Sequence, residues 1–332
     1  MKAFGALNAS IDSIIEFETP IPQPAPDELL VRVRAISLNP VDTKVRKSLG
    51  TEILTTPRIL GFDAAGVVEE VGTDVKSFSI GDEVFYSGDV TRAGSNAEFQ
   101  AVQAALVAKK PQSFSFTEAA ALPLVALTAW ELLFERMTDG IIKPSTEILI
   151  INGAGGVGSA LIPLAKSAGL TIVATASRDL TLTWCQQLGA DHVINHREPL
   201  RPQIEALGFK HFSLIANLHN TESYWAQTSD LIAPHGAIGL IVETQNPMDI
   251  GNPLRLKSPR IVWEYMPARS RFQTPDMHRQ GEILQEIATR CDAGTFPKLT
   301  LAPAQTLTAT SLQAAHRQLE SASTIGKICL EL

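Results

Sequence analysis

The feature that most constrains this chain is a glycine-rich turn between a short apolar run and a helical pattern. Residues 153–158 read Gly-Ala-Gly-Gly-Val-Gly, so glycine stands at the first, third and sixth positions of the GxGxxG pattern. The residues before the turn, Glu147–Asn152, predict a buried strand, and those after it, Val157–Ala168, predict a helix. A strand, such a turn and a helix in this order are typical of a dinucleotide-binding site, although an ordinary strand–helix turn is the alternative.

The spacing of the glycines gives each of them a different task if a dinucleotide binds. Gly153 permits a tight turn, Gly155 lets the main chain approach a pyrophosphate, and Gly158 lets the helix pack closely on the strand. The helix N-terminus adds main-chain N–H groups and the positive end of its dipole, which favour an anion. The predicted pyrophosphate contacts are Gly153, Ala154, Gly155, Gly156, Val157 and Gly158.

The patterns on either side of this turn predict two kinds of domain. From Glu147 onward, strand and helix patterns alternate over about 100 residues, which predicts an α/β fold with a doubly wound parallel sheet covered on both faces. Before residue 120, short β runs lie between turns and predict a mostly antiparallel β domain, in which Leu29–Leu38 exposes one face to solvent. The strands predicted for the parallel sheet are Glu147–Asn152, Thr171–Thr175, His192–Asn195, Phe212–Ala216 and Ala237–Val242.

The end of the second of these strands indicates which dinucleotide binds. An NAD site usually places Asp or Glu about 20 residues after the glycines, where the carboxylate binds the ribose 2′-hydroxyl. Here Asp179 comes only after Ser177 and Arg178. A hydroxyl and a permanently charged, bidentate guanidinium suit a 2′-phosphate, so the sequence favours NADPH. The alternative is that Ser177 caps the next helix and that Arg178 is solvated.

Charge and cysteine content exclude several classes of protein. The 28 Lys and Arg residues against 35 Asp and Glu residues give a formal net charge of −7, which argues against a general nucleic-acid or anionic-membrane surface. Cys185, Cys291 and Cys329 lie far apart, so neither a disulfide framework nor a structural zinc knot is expected. No signal peptide or membrane helix is predicted, and a cytoplasmic location is expected.

Several motifs, in order along the chain, resemble those of a known family. They are Ser37–Asp42 (SLNPVD), Gly61–Gly66 (GFDAAG), Gly81–Val84 (GDEV), Leu127–Trp130 (LTAW), the glycine turn, Leu188–Asp191 (LGAD), Trp263–Met266 (WEYM), Arg271–Met277 (RFQTPDM) and Ile325–Ile328 (IGKI). With them the whole chain resembles the medium-chain dehydrogenase/reductase superfamily, in particular its zinc-less quinone oxidoreductase branch and a subgroup named zinc-type alcohol dehydrogenase-like. The resemblance implies a Rossmann NADPH-binding domain, residues 123–264, inserted between the two parts of a GroES-like β-rich catalytic domain, residues 1–122 and 265–332. It also implies a cleft between the domains and a homodimer.

The resemblance further implies candidate catalytic residues. Asn39 and Asp42 match a loop beside the nicotinamide ribose or the substrate, or else Asn39 caps a helix and Asp42 orients main chain. Thr128 matches a hydroxyl that faces the nicotinamide, or else lies on a helix surface. Tyr86 offers a hydroxyl to the substrate oxygen, or else packs at a strand end. Of these four residues, Asn39 and Thr128 are also candidate cofactor contacts.

Additional cofactor contacts are implied at the ends of later strands. His196 stands where relatives often have Tyr near the adenosine phosphate, where it would hydrogen-bond the phosphate or, when protonated, pair with it. A solvated loop histidine is the alternative. Asn217, Leu240 and Val242 lie where the far half of the cofactor should pass.

The motifs depart from those of zinc-binding members of the family. Those members place Cys where this chain has Asn39, His where it has Phe62, and Cys or an equivalent near Leu124. None of these three side chains binds zinc well. Asp63 remains, but one carboxylate is not a site, and the four-cysteine lobe that would follow Tyr86 is absent from the sequence. No metal site is therefore predicted.

Together these features predict an NADPH-dependent, metal-independent oxidoreductase. Without a Lewis acid, reduction of a simple carbonyl lacks its usual stabilisation of the developing alkoxide, whereas a quinone or α,β-unsaturated carbonyl spreads the charge through its π system. Hydride transfer to such an electrophile is the predicted reaction. Two alternatives stay open: a zinc-dependent alcohol dehydrogenase with atypical ligands, and a non-enzymatic NADPH-binding protein of the crystallin-like or RNA-binding type.

Overall fold

The chain folds into two compact units in a computed structural model that describes residues 1–143, 145–252 and 254–332. Unit 1 consists of residues 1–127 and 267–332, and unit 2 of residues 128–266. The boundaries between the units thus follow residues 127 and 266, whereas the sequence predicts domain boundaries after residues 122 and 264.

The strands alternate with helices through the middle of the chain and predominate near its beginning. In chain order the strands are β1 (Lys2–Ala6), β2 (Ile14–Glu18), β3 (Glu28–Leu38), β4 (Arg58–Ile59), β5 (Asp63–Val71), β6 (Glu83–Ser87), β7 (Phe99–Gln103), β8 (Val107–Lys109), β9 (Glu147–Ile151), β10 (Thr171–Ala176), β11 (His192–Asn195), β12 (Phe212–Asn217), β13 (Ile232–Leu240), β14 (Arg260–Trp263), β15 (Gln305–Thr306) and β16 (Ile328–Glu331).

The helices are mostly short, and several begin at a capping residue. In chain order they are α1 (Pro40–Lys47), α2 (Phe116–Ala120), α3 (Pro123–Trp130), α4 (Gly156–Ser167), α5 (Asp179–Gln187), α6 (Leu200–Ala206), α7 (Thr221–Leu231), α8 (Leu254–Lys257), α9 (Ala268–Phe272), α10 (Arg279–Asp292) and α11 (Ala309–Glu320). Two 3₁₀ turns, Ile11–Ser13 and Ala104–Leu106, and a π-helical segment, Glu131–Met137, complete the helical structure described. Within the three described ranges, no helix combines the length and apolar composition needed to span a bilayer.

Unit 2 contains a parallel sheet of six strands in the order β11-β10-β9-β12-β13-β14. The chain adds β10 and β11 on one side of β9, and then crosses to add β12, β13 and β14 on the other side. The helices α4 to α8 come between successive strands, as the alternating sequence pattern predicts. This order confirms the predicted doubly wound sheet.

The strand pairs of unit 1 are mostly antiparallel, as its short β runs predict, and only the described pair β15 and β16 is parallel. One sheet follows the path β15-β16-β3-β5-β6-β8, with β7 also paired to β3, and a second sheet has the order β2-β1-β4. Strand β16 pairs antiparallel with β3, so the larger sheet uses residues from both chain segments of unit 1. This sheet, separate from the parallel one, confirms the expected GroES-like β-rich domain.

Two strands differ in detail from the sequence prediction. Strand β3 does not expose a whole face: only Arg32 and Arg34 escape burial, because β3 pairs on both edges and unit 1 packs around it. The predicted strand Ala237–Val242 is instead β13, which begins at Ile232 and ends at Leu240, so Val242 lies beyond the sheet.

Candidate functional site

The sheet of unit 2 changes winding direction between β9 and β12. Asn217 at the end of β12 lies level with Ile151 at the end of β9, so the carboxyl ends of these strands share one edge. In open parallel sheets, ligands bind outside the carboxyl ends of the strands at such a switch point. The glycine turn starts directly after β9 and therefore lies at this edge, which we call the carboxyl edge.

The glycine turn is packed so tightly that side chains at two of its glycines would disrupt it. A Cβ on Gly158 would lie 2.5 Å from the main-chain oxygens of Asn152 and Gly153. A Cβ on Gly153 would lie 2.9 Å from Ala174 Cβ and 3.0 Å from Cys185 Sγ. The left-handed residue of the turn is Asn152, with φ of 66°, so Gly153 serves packing against β10 and α5 and not the turn conformation.

Gly155 differs from Gly158 because the group nearest to an added Cβ is a side chain and not main chain. The nearest atom to a Cβ there would be Nδ2 of the Asn152 side chain, at 2.7 Å, and a side-chain amide can move. Gly155 is the N-cap of α4, and Gly156, Val157 and Gly158 form its first turn. Because N–H groups of a first turn have no intrahelical acceptor, they suit a pyrophosphate.

The connection from β10 to α5 presents Arg178 at the carboxyl edge. Arg178 is the N-cap residue: its N–H donates to Thr181 Oγ1 at 3.0 Å, and that hydroxyl donates to the Arg178 carbonyl at 2.7 Å. The cap is therefore not Ser177, which is half-buried, and the Arg178 side chain is exposed. Between the end of β10 and Arg178 the chain carries no carboxylate.

Thr175, which is buried in β10, connects the glycine turn to the residue after β11. Its Oγ1 accepts the N–H of Asn152 at 3.0 Å and lies 3.3 Å from Nδ1 of His196. Burial lowers the pKa of His196, and the positive charges of Arg197 and Arg178 lower it further. Because the ring is half-buried and has two guanidinium groups nearby, it favours its neutral form.

The predicted contacts on β12 and at or after the end of β13 also lie at the carboxyl edge. Asn217 is fully buried, and its Nδ2 donates to the carbonyl of Asn220 at 3.4 Å. Leu240 ends β13 level with Asn217, and the carbonyl of Val242 accepts the hydroxyl of Thr221 at 2.5 Å. The structure thus brings the predicted residues of the glycine turn and of four strand ends to one edge of the sheet.

In unit 1, Asn39 and Asp42 lie at the start of α1. Asn39 is the N-cap residue, and its N–H donates to Asp42 Oδ2 at 2.7 Å, which is the capping arrangement given above as the alternative. The Asn39 side chain stays available for other contacts. Burial raises the pKa of Asp42 to about 7, and the negative charge of Asp63 acts in the same direction.

The side-chain amide of Asn39 belongs to a buried polar cluster with Asp63 and Lys327, which we call the Asn39 cluster. Asn39 Nδ2 donates to Asp63 Oδ2 at 2.8 Å, and Asn39 Oδ1 accepts a hydrogen bond from Lys327 Nζ. Lys327 Nζ also lies 3.2 Å from Asp63 Oδ2, and Asp63 Oδ1 accepts the N–H of Leu124 at 2.8 Å. Asn39, Asp63 and Lys327 are 1%, 0% and 7% exposed, so this ion pair is shielded from water.

The other two candidate catalytic residues are also buried. The Tyr86 hydroxyl donates to Gln100 Oε1 at 3.0 Å within the core of unit 1, and burial raises the pKa of that hydroxyl. Thr128 is buried in α3, at the first residue of unit 2. Tyr86 thus packs as its alternative role predicts, and a role in catalysis for either residue stays a prediction.

The residues at the positions of the zinc ligands do not fit a zinc ion. Phe62 and Leu124 offer no donor side chain, and the Asn39 amide is already bonded on both sides within the Asn39 cluster. The Lys327 ammonium beside Asp63 would repel a divalent cation. Across the described residues, no group of three or more His, Cys, Asp or Glu side chains is arranged to hold a metal.

Lys327 lies within the family motif Ile325–Ile328, but the sequence assigns it no role at the site, and Asp63 is set aside there. Both are single charged residues at the start of apolar strands: Asp63 heads β5, and Lys327 precedes β16. A lone charge at such a position indicates a buried partner, since an unpaired buried charge is costly. The sequence could therefore have indicated a buried partner for each residue, but not that Asp63 and Lys327 are partners of each other.

Two family models match the sequence. The model described as alcohol dehydrogenase GroES-like domain matches residues 25–112, and the one described as zinc-binding dehydrogenase matches residues 188–330. A zinc-type alcohol dehydrogenase-like protein of Staphylococcus aureus (strain COL) is 42% identical over 322 residues, which cover 95% of this chain and 94% of that protein.

Solved structures agree with the sequence matches. A candidate zinc-dependent alcohol dehydrogenase of Rhizobium etli CFN 42 superimposes with a TM-score of 0.94 at 40% identity, covering 100% of this chain and 98% of that one. The quinone oxidoreductase of Escherichia coli, solved in complex with NADPH, gives a TM-score of 0.85 at 26% identity, with 100% of both chains covered.

Proposed function

The chain belongs to the medium-chain dehydrogenase/reductase superfamily, and on that premise we propose that it is an NADPH-dependent, metal-independent reductase of quinones or α,β-unsaturated carbonyl compounds. Membership makes the protein an oxidoreductase with a nicotinamide cofactor. The proposal concerns which nicotinamide it uses, which electrophile it reduces and by what means.

The observation that carries the proposal is the Asn39 cluster. At the positions where zinc-dependent relatives supply metal ligands, this chain has an amide bonded to a lysine and an aspartate. Without a Lewis acid, the electrophile itself must disperse the charge that hydride addition creates. A quinone or enone does so through its conjugated system, and a hydrogen-bond donor at the oxygen then suffices. The solved quinone oxidoreductase that resembles this chain supports the same substrate class.

The carboxyl edge of unit 2 supports NADPH over NADH. The first-turn N–H groups of α4 would bind the pyrophosphate, and Ser177 and Arg178 would bind the 2′-phosphate. Arg197 adds a second positive charge beside His196, which would donate or accept a hydrogen bond there. When bound, NADPH supplies the hydride, and the residues of this chain hold and orient it.

Steady-state kinetics test the proposal directly. The protein should oxidise NADPH with a panel of quinones and enones, should prefer NADPH to NADH by at least about tenfold, and should turn over simple aldehydes poorly. No turnover with any quinone or enone, or a preference for NADH, would contradict the proposal. Tight NADPH binding without turnover would instead favour the non-enzymatic alternative.

The match to a zinc-binding dehydrogenase model is the observation that favours a second candidate, a zinc-dependent alcohol dehydrogenase. That enzyme requires about one zinc ion per chain. Metal analysis of protein purified without a polyhistidine tag, together with activity after chelator treatment, separates the two candidates. Stoichiometric zinc and loss of activity on chelation would establish the second.

A further inference from the structure

The chemical nature of its two partners fixes the orientation of the Asn39 side-chain amide. A lysine ammonium only donates hydrogen bonds, and an ionised carboxylate only accepts them. The amide oxygen must therefore face Lys327 and the amide nitrogen must face Asp63, which is the arrangement found. A flipped amide would place oxygen against carboxylate and nitrogen against ammonium, so both bonds would be lost.

One hydrogen of this amide remains unused by the protein. Asn39 Nδ2 carries two hydrogens, and Asp63 accepts one of them. Within the part of the chain that the structure describes, no acceptor bonds the second. Because Asn39 is only 1% exposed, bulk water does not satisfy that hydrogen either. A buried donor without an acceptor is costly unless something else, such as a ligand, completes it.

The lysine also changes how strongly this N–H donates. A positive charge at the amide oxygen draws electron density from the nitrogen through the conjugated amide, and a low-dielectric surrounding makes this polarisation larger. With Lys327 at the amide oxygen, the second N–H is therefore a stronger donor than it would be without that cation. Such a donor matches an oxygen on which negative charge develops.

We propose that Lys327 is a positioning residue of the reductase, which holds and polarises the Asn39 amide so that its second N–H donates to the carbonyl oxygen of the bound quinone or enone. This inference rests on the proposed function and adds a residue that the metal-free mechanism requires. Asn39 is the group that contacts the substrate, and Lys327 acts through it. Zinc-dependent relatives supply a metal cation at this point. Here the cation is the Lys327 ammonium, which acts on the substrate through the Asn39 amide.

The competing account is that Lys327 only neutralises the buried Asp63. The two accounts differ for a neutral version of the cluster. Asp63→Asn alone shows the effect of changing the acceptor of Asn39 Nδ2. In Lys327→Met/Asp63→Asn both charges are removed, so a counter-ion role would no longer be needed and turnover should be that of Asp63→Asn. A positioning role would still be lost, because methionine cannot donate to Asn39 Oδ1.

The test compares wild type, Lys327→Met, Asp63→Asn, the neutral double variant and Lys110→Met. Lys110 is a matched control, since it is buried in unit 1 and donates to the carbonyls of Pro111 and Phe114 outside the Asn39 cluster. Lys327→Met should unfold more easily, because Asp63 loses its partner, and the double variant should recover that stability. Relative to Asp63→Asn, kcat with a quinone should fall about 30-fold in the double variant, while the KM for NADPH changes less than about threefold. The kcat of Lys110→Met, normalised to folded protein, should remain at the wild-type value.

A second measurement reports on the amide itself. In protein labelled with ¹⁵N-asparagine, the side-chain signal of Asn39 is assigned by its loss in Asn39→Ser. Relative to its position in Asp63→Asn, this signal should move in the double variant toward the position of an exposed asparagine amide. A kcat in the double variant equal to that of Asp63→Asn, or an Asn39 signal at the same position in these two variants, would overturn the inference. If the wild type reduces no quinone or enone while the Asn39 signal moves as expected, the proposed function fails and the positioning of Asn39 by Lys327 stands.

Discussion

The carboxyl edge of unit 2 and the Asn39 cluster of unit 1 place polar groups in opposite ways. At the carboxyl edge the donors are main-chain N–H groups and exposed cationic side chains, and glycines keep the approach open. In the Asn39 cluster an ion pair and an amide are buried and bonded to one another. The first arrangement is shaped to receive a charged ligand, whereas the second is closed except for one amide hydrogen.

Because of this difference, the two regions should be sensitive to different kinds of change. Main-chain donors are lost only when the main chain moves, so the carboxyl edge should respond to added volume and to reversal of charge. Burial raises the pKa of Asp42, which lies beside Asn39, so that region should respond to pH.

The largest effect is expected from Asp42→Asn, which removes a buried carboxyl beside the Asn39 cluster. With the folded-state pKa of Asp42 raised to about 7, the folded protein keeps a proton that the unfolded chain releases near pH 4. This group thus stabilises the fold below pH 4, and the stability is lost as pH rises to about 7, by roughly 1.4 kcal/mol per pH unit.

Denaturant unfolding at several pH values checks this prediction. The free energy of unfolding of Asp42→Asn relative to wild type should rise by on the order of 3 kcal/mol between pH 4 and pH 7. Asp74→Asn, which removes an exposed carboxylate of unit 1, is the control for the loss of one negative charge. A constant difference between Asp42→Asn and wild type across this range would contradict the prediction.

The next largest effect is expected at Gly158. In Gly158→Ala the added Cβ meets two main-chain oxygens at 2.5 Å, which cannot move without shifting the turn. We expect a loss of about 2 kcal/mol in the free energy of unfolding, even after the gain in helix propensity. The matched variant Gly155→Ala should lose less than about 1 kcal/mol, yet bind NADPH at least about tenfold more weakly. Equal stability of the two variants would show that the close approach of α4 to the turn is unimportant.

Arg178→Glu should change cofactor choice more than overall binding. A carboxylate at the end of β10 repels a 2′-phosphate, so the Kd of NADPH should rise by about 30-fold, or about 2 kcal/mol, while that of NADH changes less than about threefold. The same charge reversal at the exposed Arg271 of unit 1 serves as the control. Titration calorimetry with both cofactors measures this, and a parallel loss for NADPH and NADH would remove Arg178 from the phosphate site.

The smallest effect is expected from Tyr86→Phe. Because the Tyr86 hydroxyl bonds Gln100 inside the core, its removal should cost about 1 kcal/mol of stability and leave kcat within about twofold. Thermal unfolding and quinone turnover are the two measurements. A fall in kcat of a hundredfold would instead make Tyr86 a catalytic donor and extend the polar groups of unit 1 beyond Asn39.

The sequence predicted the carboxyl edge far better than the Asn39 cluster, and the reason is distance along the chain. The glycine turn is six consecutive residues between a strand and a helix, so local spacing alone indicates its shape. Lys327 and Asn39, by contrast, are 288 residues apart and meet only because β16 pairs with β3. A pattern within one element cannot predict a contact of this kind.

Even at the carboxyl edge, tertiary packing decided some details. Gly153 was expected to permit the turn, but the neighbouring Asn152 takes the left-handed conformation, and Gly153 makes room for Cys185 on α5. Strand β13 ended two residues before the predicted Val242. These details depend on what lies opposite in space, which periodicity does not encode.

The pairing of β16 with β3 also bears on how the protein is made. Residues 1–127 leave the ribosome first, but their larger sheet lacks an edge partner, and Asp63 lacks its ammonium, until residues 327–331 have been translated. Unit 2, whose strands are contiguous in sequence, has every segment it needs before then. Until residues 327–331 have been translated, nascent unit 1 therefore has an unpaired strand edge and an uncompensated charge. A chaperone would protect unit 1 most during this interval.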